Sequence, residues 1–291
     1  MTEPSPSVAL IGAGMLGGAI ARRWLDSGAV APGRLHVATR SGRAPALAGR
    51  PGATLHADPQ AAVEAAEVVL LCLPPAALAD VTIRASERLV LSVMAGATVA
   101  RIRAATGAAR VIRAMSSPAA EQGLAYTPWL ASPGTAPADR ALAHRLFAAL
   151  GRTDEIDHEP HLDLFTALTG PVPGFVAAFA AAMAAHAQAQ GVPAAVADRA
   201  VRQLFLSAGE ALDRAEAPPQ DHRGRPAGAG GGGPATGRLR RPRGRDREGP
   251  HHRRLSLRAR KRPARRRAGL LVAMAAEDQS SLSAEVALSW M

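Results

Sequence analysis

SVALIGAGMLG, residues Ser7 to Gly17, is the stretch on which the fold turns. Ser7–Ile11 is a short, largely apolar and β-branched run, the composition of a strand buried on both faces. It breaks at Gly12-Ala13-Gly14-Met15-Leu16-Gly17, a G-x-G-x-x-G pattern. Apolar residues then recur at helical spacing (Met15, Ile20, Trp24, Leu25) as far as Ser27-Gly28. The glycine pattern is weak by itself; between a strand and a helix it acquires a mechanism. Gly12 allows a tight turn, Gly14 lets a pyrophosphate approach the backbone, and Gly17 lets the helix lie close to the sheet. The pyrophosphate would rest on the helix N-terminus, among free N–H groups and the favourable end of the dipole.

Outward from this nucleus the strand signals repeat. Leu35–Ala38 is a second strand, and Val68–Leu73 (VVLLCL) a third, halted by Pro74-Pro75. Leu89–Met94 (LVLSVM) ends at Ala95-Gly96, and Arg110–Met115 (RVIRAM) is a weaker strand. Ala-rich helical stretches lie between several of them. Such alternation predicts an α/β fold: a Rossmann-type parallel sheet covered on both faces and joined by right-handed crossovers. From about Pro137 the strand signals vanish, and four helices are expected at 139–150, 160–168, 173–190 and 193–215. The predicted organisation is a dinucleotide-binding domain at 1–136, an all-helical dimerisation and substrate domain at 137–220, and a low-complexity tail at 221–291.

The end of the second strand selects the cofactor. An NAD enzyme usually places a carboxylate there for the ribose 2′-hydroxyl. Here the strand runs into Thr39-Arg40-Ser41, with Arg43 close behind. A guanidinium and two hydroxyls suit a 2′-phosphate dianion, so NADPH is expected over NADH.

Composition sets bounds. In 291 residues there is one cysteine, Cys72, which rules out an internal disulfide framework and fits a reducing cytoplasm. Residues 1–7 carry no basic region of signal-peptide type. The most apolar helical stretch, about 172–187, is Ala-dominated and interrupted by His186. It reads as too short for a membrane span of ~20 residues, so no membrane partner is expected. His158 and His161 stand three apart before a helix, but without a Cys or carboxylate arrangement of ligand type they read as surface residues. No metal is expected. The net charge of +11 is local: residues 1–220 hold 18 basic and 18 acidic side chains, while 221–267 hold 17 and 3.

The order of blocks resembles the pyrroline-5-carboxylate reductase family: IGAGMLGGAIA, VATRS, VVLLCLPPAAL, LVLSVMAG, VIRAMSSPAAEQG and TALTGPVPGFV. The last is the most specific: Thr166-Ala167-Leu168-Thr169-Gly170, then Pro173 and Phe175, matches the entry to that family's long dimer-forming helix. The resemblance covers about residues 7–216. It implies reduction of 1-pyrroline-5-carboxylate, a cyclic imino acid, to L-proline by hydride from NADPH, in a homodimer or higher homo-oligomer. It places Cys72, Leu73 and Pro74 along the nicotinamide ribose, and Met94, Ala95 and Gly96 near the nicotinamide. The substrate-proximal positions it implies are Met115, Ser116, Ser117, Pro118, Thr169, Gly170 and Gly174. No acid–base dyad is expected, because the protonated imine is already activated and orientation supplies most of the catalysis. The chain departs from the family at Pro74, which stands for a lysine, at Met115–Pro118, which is one residue short, and at Pro171-Val172, which replace two small residues. These departures leave room for a related imine or small-carbonyl reductase, or for an impaired cofactor-binding paralogue.

After Gln220 the character breaks. The family's carboxylate-binding Ser-Pro-Gly-Gly-Thr-Thr loop has no counterpart, and Arg, Gly and Pro dominate. No core forms from that composition, so a disordered tail is expected. A change of reading frame accounts for the abrupt loss of apolar periodicity. The competing account is a genuine basic tail that binds nucleic acid or acidic partners. A helical domain left incomplete in this way would expose apolar faces.

Overall fold

The computed structural model describes residues 5–170 and 172–215; the expectations for 221–291 lie outside them. Each expected strand forms: β1 (Val8–Ile11), β2 (Leu35–Ala38), β4 (Val68–Leu71), β5 (Leu89–Ser92) and β6 (Arg110–Ala114). So do α1 (Met15–Ser27), between β1 and β2, and the further helices α2 (Pro59–Glu64) and α3 (Val99–Thr106). Three strands had no signal in the sequence: β3 (Ala53–His56), β7 (Ala125–Ala131) and β8 (Gly151–Glu155). The sheet order is β3-β2-β1-β4-β5-β6-β7-β8. From β3 to β6 every pairing is parallel, β7 runs antiparallel to β6, and β8 is parallel to β7.

Side-chain alternation along these strands builds two cores. One face gathers Leu10, Ile20, Trp24, Val37, Leu70, Leu91, Ile112 and Phe147; the other gathers Ile11, Val69, Leu71, Val90, Met94, Ile102 and Val111. Trp24 of α1 is fully buried and donates its indole N–H to the Leu146 carbonyl at 2.8 Å. Burying its roughly 200 Å² contributes about 5 kcal/mol. That contact fixes α1 over the sheet, and with it the glycine turn at its start.

The boundary expected after residue 136 falls too early. Helix α4 (Pro137–Ala148) contributes Ala143, Leu146 and Phe147 to the first core, and β8 extends the sheet beyond it. The first compact unit runs to Pro173 and so includes α5 (Glu159–Thr169); the second opens at Gly174. Strand β7 escaped notice because Pro128 interrupts it. Pro128 stands where the β6 ladder ends: its carbonyl accepts from the Met115 N–H at 3.0 Å, and only the return bond of that last rung is given up to its missing donor. Strand β8, Gly-Arg-Thr-Asp-Glu, is a polar edge strand without an apolar run. The remaining helices, α6 (Val172–Ala189) and α7 (Ala194–Asp213), match the expected spans to within a few residues.

Candidate active site

Strand order reverses between β1 and β4, and in such sheets the ligand crevice opens beyond the carboxyl ends of those strands. Gly12 lies in that crevice. Its N–H donates to the Ala38 carbonyl and the Cys72 N–H donates to that of Ile11, each at 2.9 Å, tying the ends of β2, β1 and β4 together. Gly12 has φ +98°, and a Cβ there would lie 2.3 Å from the Cys72 carbonyl oxygen. A Cβ on Gly17 would lie 2.1 Å from the Gly12 carbonyl oxygen. Both positions require glycine so that helix, turn and strand can close on one another.

Gly14 is different. A Cβ there would meet no protein atom within 4 Å, so the protein itself sets no steric demand for glycine at this position. The first turn of α1 carries neither an acidic residue nor a side-chain cap at Gly14, which leaves its N–H groups to an anion. Met15 is exposed beside them, Leu16 is half-buried, and Ala13 is buried under the turn. The residues present fit a dinucleotide.

At the end of β2, Arg40 and Arg43 are exposed, and among the described residues neither guanidinium has an ion-pair partner. Thr39 Oγ1 donates to the Arg43 carbonyl at 2.8 Å, and the Arg43 N–H donates to Ser41 Oγ at 3.3 Å. The two hydroxyls therefore fold the loop upon itself, with both arginines left facing water.

Strands lie about 4.8 Å apart, so a dinucleotide with its adenosine end at β2 and its pyrophosphate at β1 would extend over β4 and β5. The segments there are Cys72–Pro74 and Met94–Gly96. Burial pushes the Cys72 thiol up to about 12, which keeps it protonated and unreactive near neutral pH. Leu73 is half-buried and Pro74 exposed. Met94 is in the core, so only its backbone can reach a ligand; Ala95 is half-buried and Gly96 exposed with φ +64°.

The loop after β6 sets its two serines apart. Ser116 is buried, and its hydroxyl is hydrogen-bonded to Thr127 Oγ1 at 3.0 Å, while Ser117 is half-buried and Pro118 exposed. Ser117, between Ser116 and Pro118, is the more exposed of the two serines. A two-pronged pair holds the segment beyond it: Arg22 of α1 donates to both carboxylate oxygens of Glu121 at 2.8 Å. Thr169 spends its hydroxyl on the Phe165 carbonyl at 2.8 Å, and Gly170 follows it as the C-cap of α5. Gly174, in contrast, opens the second unit.

Sequence reasoning missed one cluster. Arg113 in β6 is only 2% exposed, and it donates to Glu159 Oε1 at 3.1 Å and to Asp163 Oδ1 at 2.7 Å. The signal was present: Arg113 alternates with Val111 on a face that packs into the core, and a guanidinium there demands a countercharge. His158 and His161 meet edge to face with ring centroids 5.2 Å apart. Among the described residues no group of three or more potential metal ligands gathers. Among the described residues one stretch, Glu159–Ala189, which takes in α5 and α6, is long and apolar enough to cross a bilayer by length and composition alone.

Comparison with known proteins bears on both units. Residues 7–96 match the family described as NADP oxidoreductase coenzyme F420-dependent. Residues 159–233 match pyrroline-5-carboxylate reductase dimerisation, a match that runs past Gln220. A pyrroline-5-carboxylate reductase of Synechocystis is 28% identical over 232 residues, covering 78% of this chain and 86% of that protein. The structure of a pyrroline-5-carboxylate reductase from Coxiella burnetii superposes with a TM-score of 0.65 at 22% identity, covering 74% of this chain and 82% of that one. A reductive aminase from Aspergillus terreus, in complex with NADPH and ethyl-5-oxohexanoate, gives 0.53 at 21% identity, covering 72% and 76%. The chain resembles the pyrroline-5-carboxylate reductases over most of its length.

Proposed function

We propose that this chain is an NADPH-dependent imine reductase that converts 1-pyrroline-5-carboxylate to L-proline in the cytoplasm. The observation that carries the proposal is the joint occurrence, in one chain, of a dinucleotide turn with free arginines at β2 and a segment matching the dimerisation region of that reductase family. Gly12–Gly17 would hold the pyrophosphate, Arg40 with Ser41 the 2′-phosphate, and Leu73, Pro74, Ala95 and Gly96 the nicotinamide end. The chemistry the cofactor supplies when bound is hydride donation to the carbon of a ring C=N bond. The substrate enters with its imine nitrogen protonated, so the protein need move no proton to activate it. Its own residues bind and orient: Met115, Ser117 and Pro118, with Thr169 and Gly170, would fix the ring against the nicotinamide face. Pairing through α6 and α7 into a homodimer belongs to the same proposal.

A spectrophotometric assay of NADPH oxidation with pyrroline-5-carboxylate tests it. Turnover is expected, and none by a soluble, NADPH-binding preparation rejects it. One observation favours a second reading, reduction of another imine: in the shortened Met115–Pro118 loop one of the two serines, Ser116, is withdrawn into a buried hydrogen bond. Faster turnover of cyclic imines that lack a carboxylate would favour that reading.

A further inference from the structure

Three segments converge on one carboxylate. Glu159 opens α5, and its Oε1 accepts from Arg113 in β6 at 3.1 Å and from the Val99 N–H at 2.7 Å. Arg113 lies two residues before the Met115–Pro118 loop. Val99 is the first residue of α3, three residues after Gly96. The carboxylate therefore spans the two segments assigned to substrate and nicotinamide.

The fold does not demand this link. Helix α3 already has an N-cap, since the Thr98 side chain accepts from the Arg101 N–H. Arg113 already has Asp163 at 2.7 Å to balance its charge. Glu159 thus adds a tie beyond what either element needs, across 60 residues of chain to Val99 and 46 to Arg113. Hydride transfer is the step that requires such a tie, because its rate depends steeply on how the donor and acceptor carbons are placed.

We propose that Glu159, braced by buried Arg113, is a positioning residue that sets the spacing between the nicotinamide-side segment Met94–Gly96 and the substrate-side loop Met115–Pro118. It touches neither ligand and acts through the backbone of α3 and the strand β6. The proposal rests on the imine-reductase reading and deepens it.

Three variants of the full chain test it. Glu159→Ala removes the tie, whereas Glu159→Gln keeps an oxygen that can accept from both donors. Val99→Pro deletes the N–H and exchanges one half-buried apolar side chain for another: proline is favoured at the first helical position, and Thr98, at φ −70° and ψ 156°, already has the backbone that precedes a proline. Binding is measured with NADPH and with 2′,5′-ADP, which carries the adenosine phosphates but no nicotinamide. Both Glu159→Ala and Val99→Pro should weaken NADPH by about fivefold, the worth of one hydrogen bond, and leave 2′,5′-ADP unchanged. Glu159→Gln should restore the NADPH value. In turnover, kcat should fall about 10- to 100-fold with little change in KM for the imine.

Equal effects on the two ligands, or none, overturn the proposal, and so does loss of stability without the selective loss of NADPH. If Glu159→Ala fails to fold, the Val99→Pro result decides alone. The affinity ratio needs no substrate, so it judges the tie even where the unaltered protein turns over no imine, an outcome that would reject the functional reading instead.

Discussion

At the scale of single residues, the proposed grip on the 2′-phosphate rests on Arg40. It is exposed at the end of β2 beside hydroxyls already occupied in shaping their own loop, so its charge is available to a dianion. Removing a charge-assisted bond of about 1.5–3 kcal/mol should raise the NADPH dissociation constant of Arg40→Ala about 10- to 100-fold. NADH binding, lacking the phosphate, should stay within about threefold. Equal losses would refute the phosphate assignment. A second residue governs pH response. His36 Nδ1 lies 3.1 Å from His56 Nε2, and burial first, then His56 and Arg34, depress its pKa below the usual 6.5. The unfolded chain takes up that proton near pH 6.5 while the folded one resists it. Stability is therefore full above that value and declines as pH falls through the window beneath it. Asp26 and Glu121, held below the usual carboxylate range by Arg50 and Arg22, titrate lower still. Melting temperature measured from pH 7.5 to 5.5 should consequently fall more steeply for the unaltered protein than for His36→Val; parallel slopes would remove His36 as the cause.

At the scale of elements, the turn into α1 separates two kinds of glycine. Gly17→Ala drives a methyl against the Gly12 carbonyl at 2.1 Å, a backbone clash that cannot relax without moving the helix. A loss of about 1–3 kcal/mol in stability is expected, with cofactor affinity falling as the helix shifts. Gly14→Ala meets open space within the protein, so its melting temperature should hold while NADPH binding weakens. Calorimetry and a fluorescence titration on the two variants check the contrast, and identical behaviour would mean that the turn is not read by a ligand. This nucleus was legible in the sequence because a strand, three glycines and a helix each carry their own local signal. The elements that escaped did so for local reasons too: Pro128 hides β7, and Arg152, Asp154 and Glu155 make β8 polar. The Arg113–Glu159–Val99 tie was beyond reach, since a lone Arg in a strand announces a missing countercharge but not which of many acids supplies it.

At the scale of the whole molecule, the balance of exposed apolar surface remains to be accounted for. Helix α6 has no buried residue and exposes Phe175, Val176 and Phe179; α7 buries only Ala197 and Val201 and exposes Leu204, Leu206 and Leu212. Phe179 and Phe205 meet edge to face at 5.9 Å, which pairs the two helices but covers neither outer face. Apolar area on this scale is unusual for a monomer and marks a surface that another molecule covers. Two coverings are physically open, a second copy of the chain or a bilayer, and the match of residues 159–233 to a dimerisation region supports the first. Phe175 and Phe179 are four apart and share a helix face, so Phe175→Glu with Phe179→Glu places two charges on it at little cost in helix propensity. Light scattering after size exclusion should give twice the chain mass for the unaltered protein and one chain mass for the double variant. A double variant that stays dimeric would move the interface elsewhere. An unaltered protein that is monomeric and floats with neutral lipid vesicles would instead assign the face to a membrane, and with it the exposed phenylalanines of α6.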